Sequence, residues 1–243
     1  MNGAVLITGG ARRLGAALSR AIAAARYRVV IHANRSTDEG KALAEELGGV
    51  FVQGDLADPA TPERLIREAM EKAGPLFALV NNASRFEYDQ ASTVTAEHIA
   101  AHAGPNLTAP VLLTRYFAAG LALERGVVIN MLDQKLANLN PDFFSYTLSK
   151  AALAAATEMF AMALAPKIRV CGIAPGITLA APKQSQEKFE KAWRANPLGQ
   201  GSTPEDIARA AVFILRTPSM TGTTLYVDGG EHLMRRSRDV GII

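Results

Sequence analysis

The sequence holds a single cysteine, Cys171, so no internal disulfide can form, and the chain suits a reducing compartment. Neither sign of charge is in large excess: 26 Lys and Arg stand against 23 Asp and Glu, a net charge of +3. That is too mild for a nucleic-acid surface, although it fits a pocket that must hold anionic phosphates. No apolar run spans a bilayer. The longest, residues 151–165, is interrupted by Glu158 and falls short of the ~20 residues a crossing helix needs, so it reads as a buried helix and no membrane partner is expected. No basic leader precedes the first apolar run, Ala4-Val5-Leu6-Ile7, and the expected place is the cytoplasm. Metal ligands are scarce as well. His98 and His102 stand four apart on a helical stretch without a third ligand near them, which predicts a solvated helix face and no metal site. Arg235-Arg236-Ser237-Arg238 is a short basic run, better read as an arm at a subunit interface or a solvated end than as a nucleic-acid contact. Cys171 lies in an apolar strand and reads as a buried thiol.

What is present is an α/β alternation over 243 residues, enough for one domain, 1–243, with a substantial core. Short apolar runs at 4–8, 28–33, 50–53, 76–80, 127–130, 168–173 and 223–227 predict strands. Helical spacing covers 13–25, 37–47, a stretch from Asp58-Pro59 to Ala73, 106–123, 144–165 and 186–194. A last helix opens at Thr203-Pro204-Glu205, where a cap, a proline and an acid stand in order. Strands that read as continuous apolar runs between helices indicate a doubly wound (Rossmann) parallel sheet with helices on both faces. Residues 175–201 are irregular and lie beyond the carboxyl end of the sixth strand, where such folds bind ligands; they form a substrate lid or a plain surface excursion.

Thr8-Gly9-Gly10-Ala11-Arg12-Arg13-Leu14-Gly15 follows the first strand and opens the first helix. Glycines there let the backbone approach a pyrophosphate, and the helix start offers unpaired N–H groups. A cofactor with a free ribose 2′-hydroxyl usually meets an acid at the end of the second strand. Here the stretch is His32-Ala33-Asn34-Arg35-Ser36, with no acid before Asp38. Arg35 and Ser36, joined by Arg12, could instead grip a 2′-phosphate, because the planar guanidinium donates two parallel hydrogen bonds. NADP(H) is therefore favoured over NAD(H).

Tyr146 and Lys150 are four apart and share one face of a helix. A free phenol, with a pKa near ~10, is a poor proton donor at neutral pH, and a nearby ammonium is expected to lower that value. In series with this pair stand the 8–15 turn, Asp55, Asn81-Asn82-Ala83, Asn106, Pro175-Gly176 and Asp228-Gly229-Gly230. On that ordered set the chain resembles the short-chain dehydrogenase/reductase family over nearly its whole length. The resemblance implies a seven-stranded sheet, a homotetramer or homodimer, and hydride transfer to a small-molecule substrate. It implies cofactor contacts from Gly9, Arg12, Arg13, Leu14, Asn34, Arg35, Ser36, Asp55, Leu56, Asn82, Ala83, Ser84, Tyr146, Lys150, Pro175 and Gly176. It further implies that Asn106 holds a proton-relay water near Lys150 and completes the catalytic group.

Two positions depart from that family's pattern. Arg13 stands where glycine is usual, and Asp133 replaces the serine 13 residues before Tyr146. A serine donates to a ketone oxygen; an ionised aspartate cannot, and it repels an incipient alkoxide. It is useful to a substrate that presents N–H groups or a ring nitrogen awaiting a proton. Both departures resemble the pteridine reductase branch, which includes dihydromonapterin reductases, as do Arg12-Arg13-Leu14-Gly15, Asn34-Arg35-Ser36 and Asn82-Ala83-Ser84-Arg85-Phe86. The resemblance implies an NADPH-dependent reductase of a pterin-like C=N bond. Phe86 would then stack the pterin, Ser84 and Arg13 would reach substrate and cofactor phosphate, and Asp133 would share proton delivery with Tyr146. From the residues alone Phe86 could be a core aromatic, and Asp133 could merely cap a turn. The rivals are a carbonyl reductase of 3-oxoacyl, sugar or steroid ketones, against which Asp133 stands, and a non-catalytic NADP-binding sensor, against which Tyr146 and Lys150 stand. The small residues of 151–163 could pack a second subunit or only the sheet.

Overall fold

A computed structural model describes residues 3–180 and 184–240. Seven strands form one parallel sheet in the order β3-β2-β1-β4-β5-β6-β7. They are β1 (Ala4–Ile7), β2 (Arg28–Ala33), β3 (Val50–Gln53), β4 (Leu76–Asn81), β5 (Gly126–Met131), β6 (Ile168–Pro175) and β7 (Thr224–Val227). Most strand residues from β1 to β6 are buried, which is why their sequences read as unbroken apolar runs rather than alternating ones. Helices α1 (Arg13–Ala24), α2 (Thr37–Glu46) and α8 (Pro204–Arg216) cover one face. Helices α3 (Thr61–Ala73), α5 (Ala109–Gly120) and α6 (Phe144–Leu164) cover the other. Side chains such as Leu18 and Ile22 beneath α1, or Leu65, Leu113 and Phe117 opposite, are fully enclosed, and each contributes roughly 1.5–3 kcal/mol by leaving water.

The strand order reverses between β1 and β4, so a crevice opens at their carboxyl ends. The capping box at Thr203 fixes the start of α8 where the sequence places it: Thr203 accepts from the Asp206 N–H, and Asp206 accepts from the Thr203 N–H at 2.8 Å.

One helix departs from the sequence reading. Instead of beginning at Asn106, helical structure begins at Ala96, capped by the Thr95 hydroxyl, and runs as α4 (Ala96–Ala103). A wide π turn, Gly104–Thr108, then passes into α5. Gly104-Pro105 looks like a helix breaker, but the wide turn absorbs the proline's missing N–H and lets the chain continue. The turn also rotates Asn106 inward, where it is wholly buried. Two short 3₁₀ turns, Gln134–Ala137 and Glu231–Leu233, carry no period that sequence reading could catch. Helix α7 (Gln186–Trp193) stands within the irregular 175–201 region, of which residues 181–183 lie outside the described residues. Among the described residues no helix is long and apolar enough to cross a membrane.

Candidate active site

Close approach governs the turn after β1. A Cβ on Gly15 would stand 1.9 Å from the Gly9 carbonyl oxygen, so only glycine lets α1 sit this near the turn. Gly9 has φ +60°, and a Cβ there would meet the Ala83 backbone at 3.1 Å. Arg13 has φ +51°, the left-handed region, which a glycine would adopt without strain. Thr8 and Asn82 lock the turn to the end of β4: the Thr8 hydroxyl accepts the Asn82 and Ala83 N–H groups, and the Asn82 amide donates to the Thr8 carbonyl at 2.9 Å.

A residue that sequence reading passed over braces the same turn. His32, buried in β2, accepts the Gly9 N–H at Nδ1 (3.2 Å) and donates from Nε2 to the Gly54 carbonyl (3.0 Å). Burial holds its pKa down at about 4, so the ring is neutral. Because the unfolded imidazole protonates near pH ~6.5 and the folded one only near 4, stability is lost as pH falls through that window, by about 3 kcal/mol. His32→Asn removes the titration. Thermal melts from pH 7 to 4 should then show a shallower acid slope than the native protein, and equal slopes would remove His32 from this role.

The expected cofactor residues lie at or just beyond the carboxyl ends of the strands. Asn34 and Arg35 are exposed at the end of β2, with Ser36 half-buried before α2. Arg12 is exposed and lies 3.6 Å from Glu39. Asp55 is exposed and shares a recess of about 420 Å³ with Asn34 and Arg64, while Leu56 is buried in the α3–α5 core. Pro175 ends β6 beside Val227, and Gly176 packs so closely on Asp228 that a Cβ would stand 2.8 Å from its Cα.

A larger cleft of about 760 Å³ adjoins the turn and is lined by Arg13, Leu14, Asn82, Ser84, Phe86, Asp133, Tyr146, Lys150, Pro175 and Gly176 among others. On its floor the Tyr146 hydroxyl donates to Asp133 Oδ2 at 2.8 Å. The other carboxylate oxygen accepts the Lys135 N–H at 2.8 Å and caps the 3₁₀ turn, so Asp133 is a cap and a cleft residue at once. Lys150, buried one helical turn beyond Tyr146, donates to the Met131 carbonyl at 2.7 Å. Burial lowers its pKa to about 8, and it lifts that of Asp133. The expectation of an acidified phenol is not met. Burial first, and the Asp133 carboxylate second, push the Tyr146 value well above its usual level, while Lys150 Nζ stays 5.7 Å from the ring centre. The phenol is a held donor rather than a phenolate.

Asn106 is held through its whole side chain. Its amide donates to the Arg85 carbonyl (2.9 Å) and to Ser149 Oγ (3.0 Å), and its oxygen accepts from the Arg85 N–H (2.8 Å) and the Ser84 hydroxyl (3.2 Å). Three of the four bonds hold the strip after β4 and the fourth ties it to α6, so the side-chain amide is fully engaged. Phe86 is no core aromatic: it is 51% exposed, stacks on Phe143 at 4.3 Å and meets Tyr146 edge-on at 4.7 Å. His102 is buried, not solvated; its Nε2 accepts the Glu87 N–H (3.2 Å), which steadies the same strip. His98 remains exposed. Arg13 Nη2 donates to the Ala180 carbonyl at 2.7 Å, joining the first turn to the irregular region.

The family model described as enoyl-(acyl carrier protein) reductase matches residues 9–232. The chain belongs to the short-chain dehydrogenase/reductase family. Among solved structures of this short-chain family, FolM alternative dihydrofolate reductase 1 from Brucella canis, complexed with NADP, superposes with a TM-score of 0.93 at 39% identity, covering 98% of this chain and 97% of that one. Pteridine reductase 1 of Leishmania tarentolae is 30% identical, over 95% of this chain and 96% of its own length. A polyketide-synthase relative from Streptomyces violaceoruber, named for ketoacyl reduction, is 31% identical over 94% of this chain and 96% of its own.

Proposed function

We propose that this chain is an NADPH-dependent reductase of a pterin-like substrate, a dihydropterin or dihydrofolate, acting on a C=N bond. The observation that carries this reading is the Asp133 carboxylate bonded to the Tyr146 phenol on the floor of the cleft. A carboxylate there accepts the N–H groups of an aminopyrimidine ring, whereas it would repel the alkoxide that ketone reduction generates. The solved FolM structure complexed with NADP and the pteridine reductase relative support the same reading. The relative named for ketoacyl reduction favours a carbonyl substrate, and the 133 position argues against it.

The residues fit the cofactor. Gly9 and Gly15 let the turn close tightly against the start of α1, whose N–H groups suit a pyrophosphate, and Arg12 and Arg35 supply guanidinium groups near the end of β2. Bound NADPH supplies the hydride. Tyr146 and Asp133 hold the proton for the ring nitrogen between Oη and Oδ2. Lys150 keeps a buried positive charge beside them, Phe86 offers a half-exposed ring for stacking, and Ser84 and Arg13 border the same space. Residues 175–201 are the substrate lid, and the whole chain 1–243 acts as one cytoplasmic unit without nucleic-acid or membrane partners. Leu148, Met159 and Met162 are exposed along α6, a face suited to pairing in a homodimer or homotetramer.

The test follows NADPH oxidation with a dihydropterin panel and a ketone panel: turnover restricted to ketones would remove the pterin reading. Arg35→Ala should raise the KM for NADPH by about 10- to 100-fold, the worth of a charge-assisted phosphate contact, and leave that for NADH unchanged. Equal changes with both cofactors would deny Arg35 the 2′-phosphate.

A further inference from the structure

The cleft has a wall that neither the cofactor turn nor the proton pair uses. Asp239 and Val240 line the same space as Asp133 and Tyr146. They are held by Arg238, whose Nε donates to Asp142 Oδ2 at 2.8 Å and to Oδ1 at 3.1 Å, and whose Nη2 donates to Oδ1 at 2.7 Å. The Asp239 N–H adds a 2.7 Å bond to Oδ2. The Asp142 side chain is only 1% exposed, so this is a buried carboxylate met by a planar fork. Two other stretches converge on the same residue, and its chain neighbour reaches the cleft. The Tyr88 hydroxyl donates to Oδ1 at 3.3 Å from the strip after β4. Lys135, in the turn that Asp133 caps, donates to the Asp142 carbonyl and lies 3.5 Å from Asp239. Phe143, next along the chain, is held in the left-handed region at φ +52° and stacks on Phe86.

We propose that residues 238–240, clamped onto Asp142, form a wall of the substrate cleft that sets substrate affinity, which makes Arg238 and Asp142 positioning residues for the reduction. The pterin identity of that substrate rests on the reading above; the wall does not. The fork keeps Asp142 ionised, with its pKa down at about 2, so the clamp persists across the working pH range. A fixed wall contributes equally to the bound substrate and to the transition state, so its loss acts on KM rather than on kcat.

The experiment compares native protein, Arg238→Ala and Arg238→Lys. It measures steady-state kinetics on whichever panel substrate the native protein reduces, NADPH affinity by fluorescence, and amide hydrogen exchange over 235–240. Arg238 is half-exposed, so its truncation leaves the core intact. For Arg238→Ala the expected result is a KM raised about tenfold, kcat and NADPH affinity within about twofold of native, and faster exchange over 238–240; Lys, a single point charge, recovers only part of the loss. Faster exchange with KM unchanged would overturn the wall, as would unchanged exchange, or kcat and NADPH affinity falling as KM rises. Native turnover of ketones alone would end the pterin reading while leaving the wall to be decided on that ketone.

Discussion

Asp133→Ser should lower kcat for a dihydropterin by about 100- to 1,000-fold while the affinity for NADPH stays within about twofold of native. The serine places a hydroxyl donor where the substrate needs an acceptor. The substrate's N–H groups then lose their carboxylate, and the Tyr146 hydroxyl loses the 2.8 Å acceptor that orients it. Asp133 also caps the 3₁₀ turn through the Lys135 N–H, but serine is an equally good cap, so the melting temperature should stay near native and the loss is one of chemistry. Asp133→Asn checks this from the other side. Its amide oxygen can likewise cap the turn, but the charge is gone and kcat should remain low. Native turnover in either variant would reduce Asp133 to a cap.

Much of the sheet was legible because its strands are buried on both faces. Val29, Val30 and Ile31 are as enclosed as Val127, Val128 and Ile129, and such runs announce a parallel sheet without any alternation. The long helix α6 and the capping box of α8 were equally plain. The helix before β5 was not. Its true start at Ala96 hides behind Gly104-Pro105, since a π turn tolerates a pair that ordinary helical spacing forbids.

The site divides in the same way. Tyr146, Lys150, Asp133 and the 8–15 turn have fixed spacings or sit at strand ends, and the fold does bring them around one cleft. His32, Asp142 and Arg238 carry no such signal. His32 bonds Gly9 across 23 positions and Arg238 meets Asp142 across 96, distances in sequence over which no local period or cap can report. The direction of the Tyr146 shift failed for a related reason. Spacing of four shows that Lys150 shares its face, but not that Lys150 is committed to the Met131 carbonyl while a buried carboxylate faces the hydroxyl.

That corrected electrostatics predicts the pH profile. Reduction consumes a proton, and the Asp133–Tyr146 pair is built to keep one on the phenol: desolvation raises both groups, the Asp133 carboxylate favours the protonated phenol, and the phenol's hydrogen bond in turn favours the ionised carboxylate. Tyr146→Phe removes the phenol without disturbing the helix and should lower kcat by about 100- to 10,000-fold, the usual worth of a placed proton donor. In the native protein the alkaline side is governed first by Lys150, whose value is lowered to about 8. Above that pH the buried ammonium becomes neutral, the positive charge beside the pair is lost, and turnover should fall. Lys150→Arg keeps the charge at every accessible pH, so whatever activity it retains should show no limb near 8. Steady-state rates with a dihydropterin from pH 6 to 10, for native protein and both variants, check this. A native profile that is flat across pH 8, or a limb that persists in Lys150→Arg, would show that the lysine's charge does not govern the step.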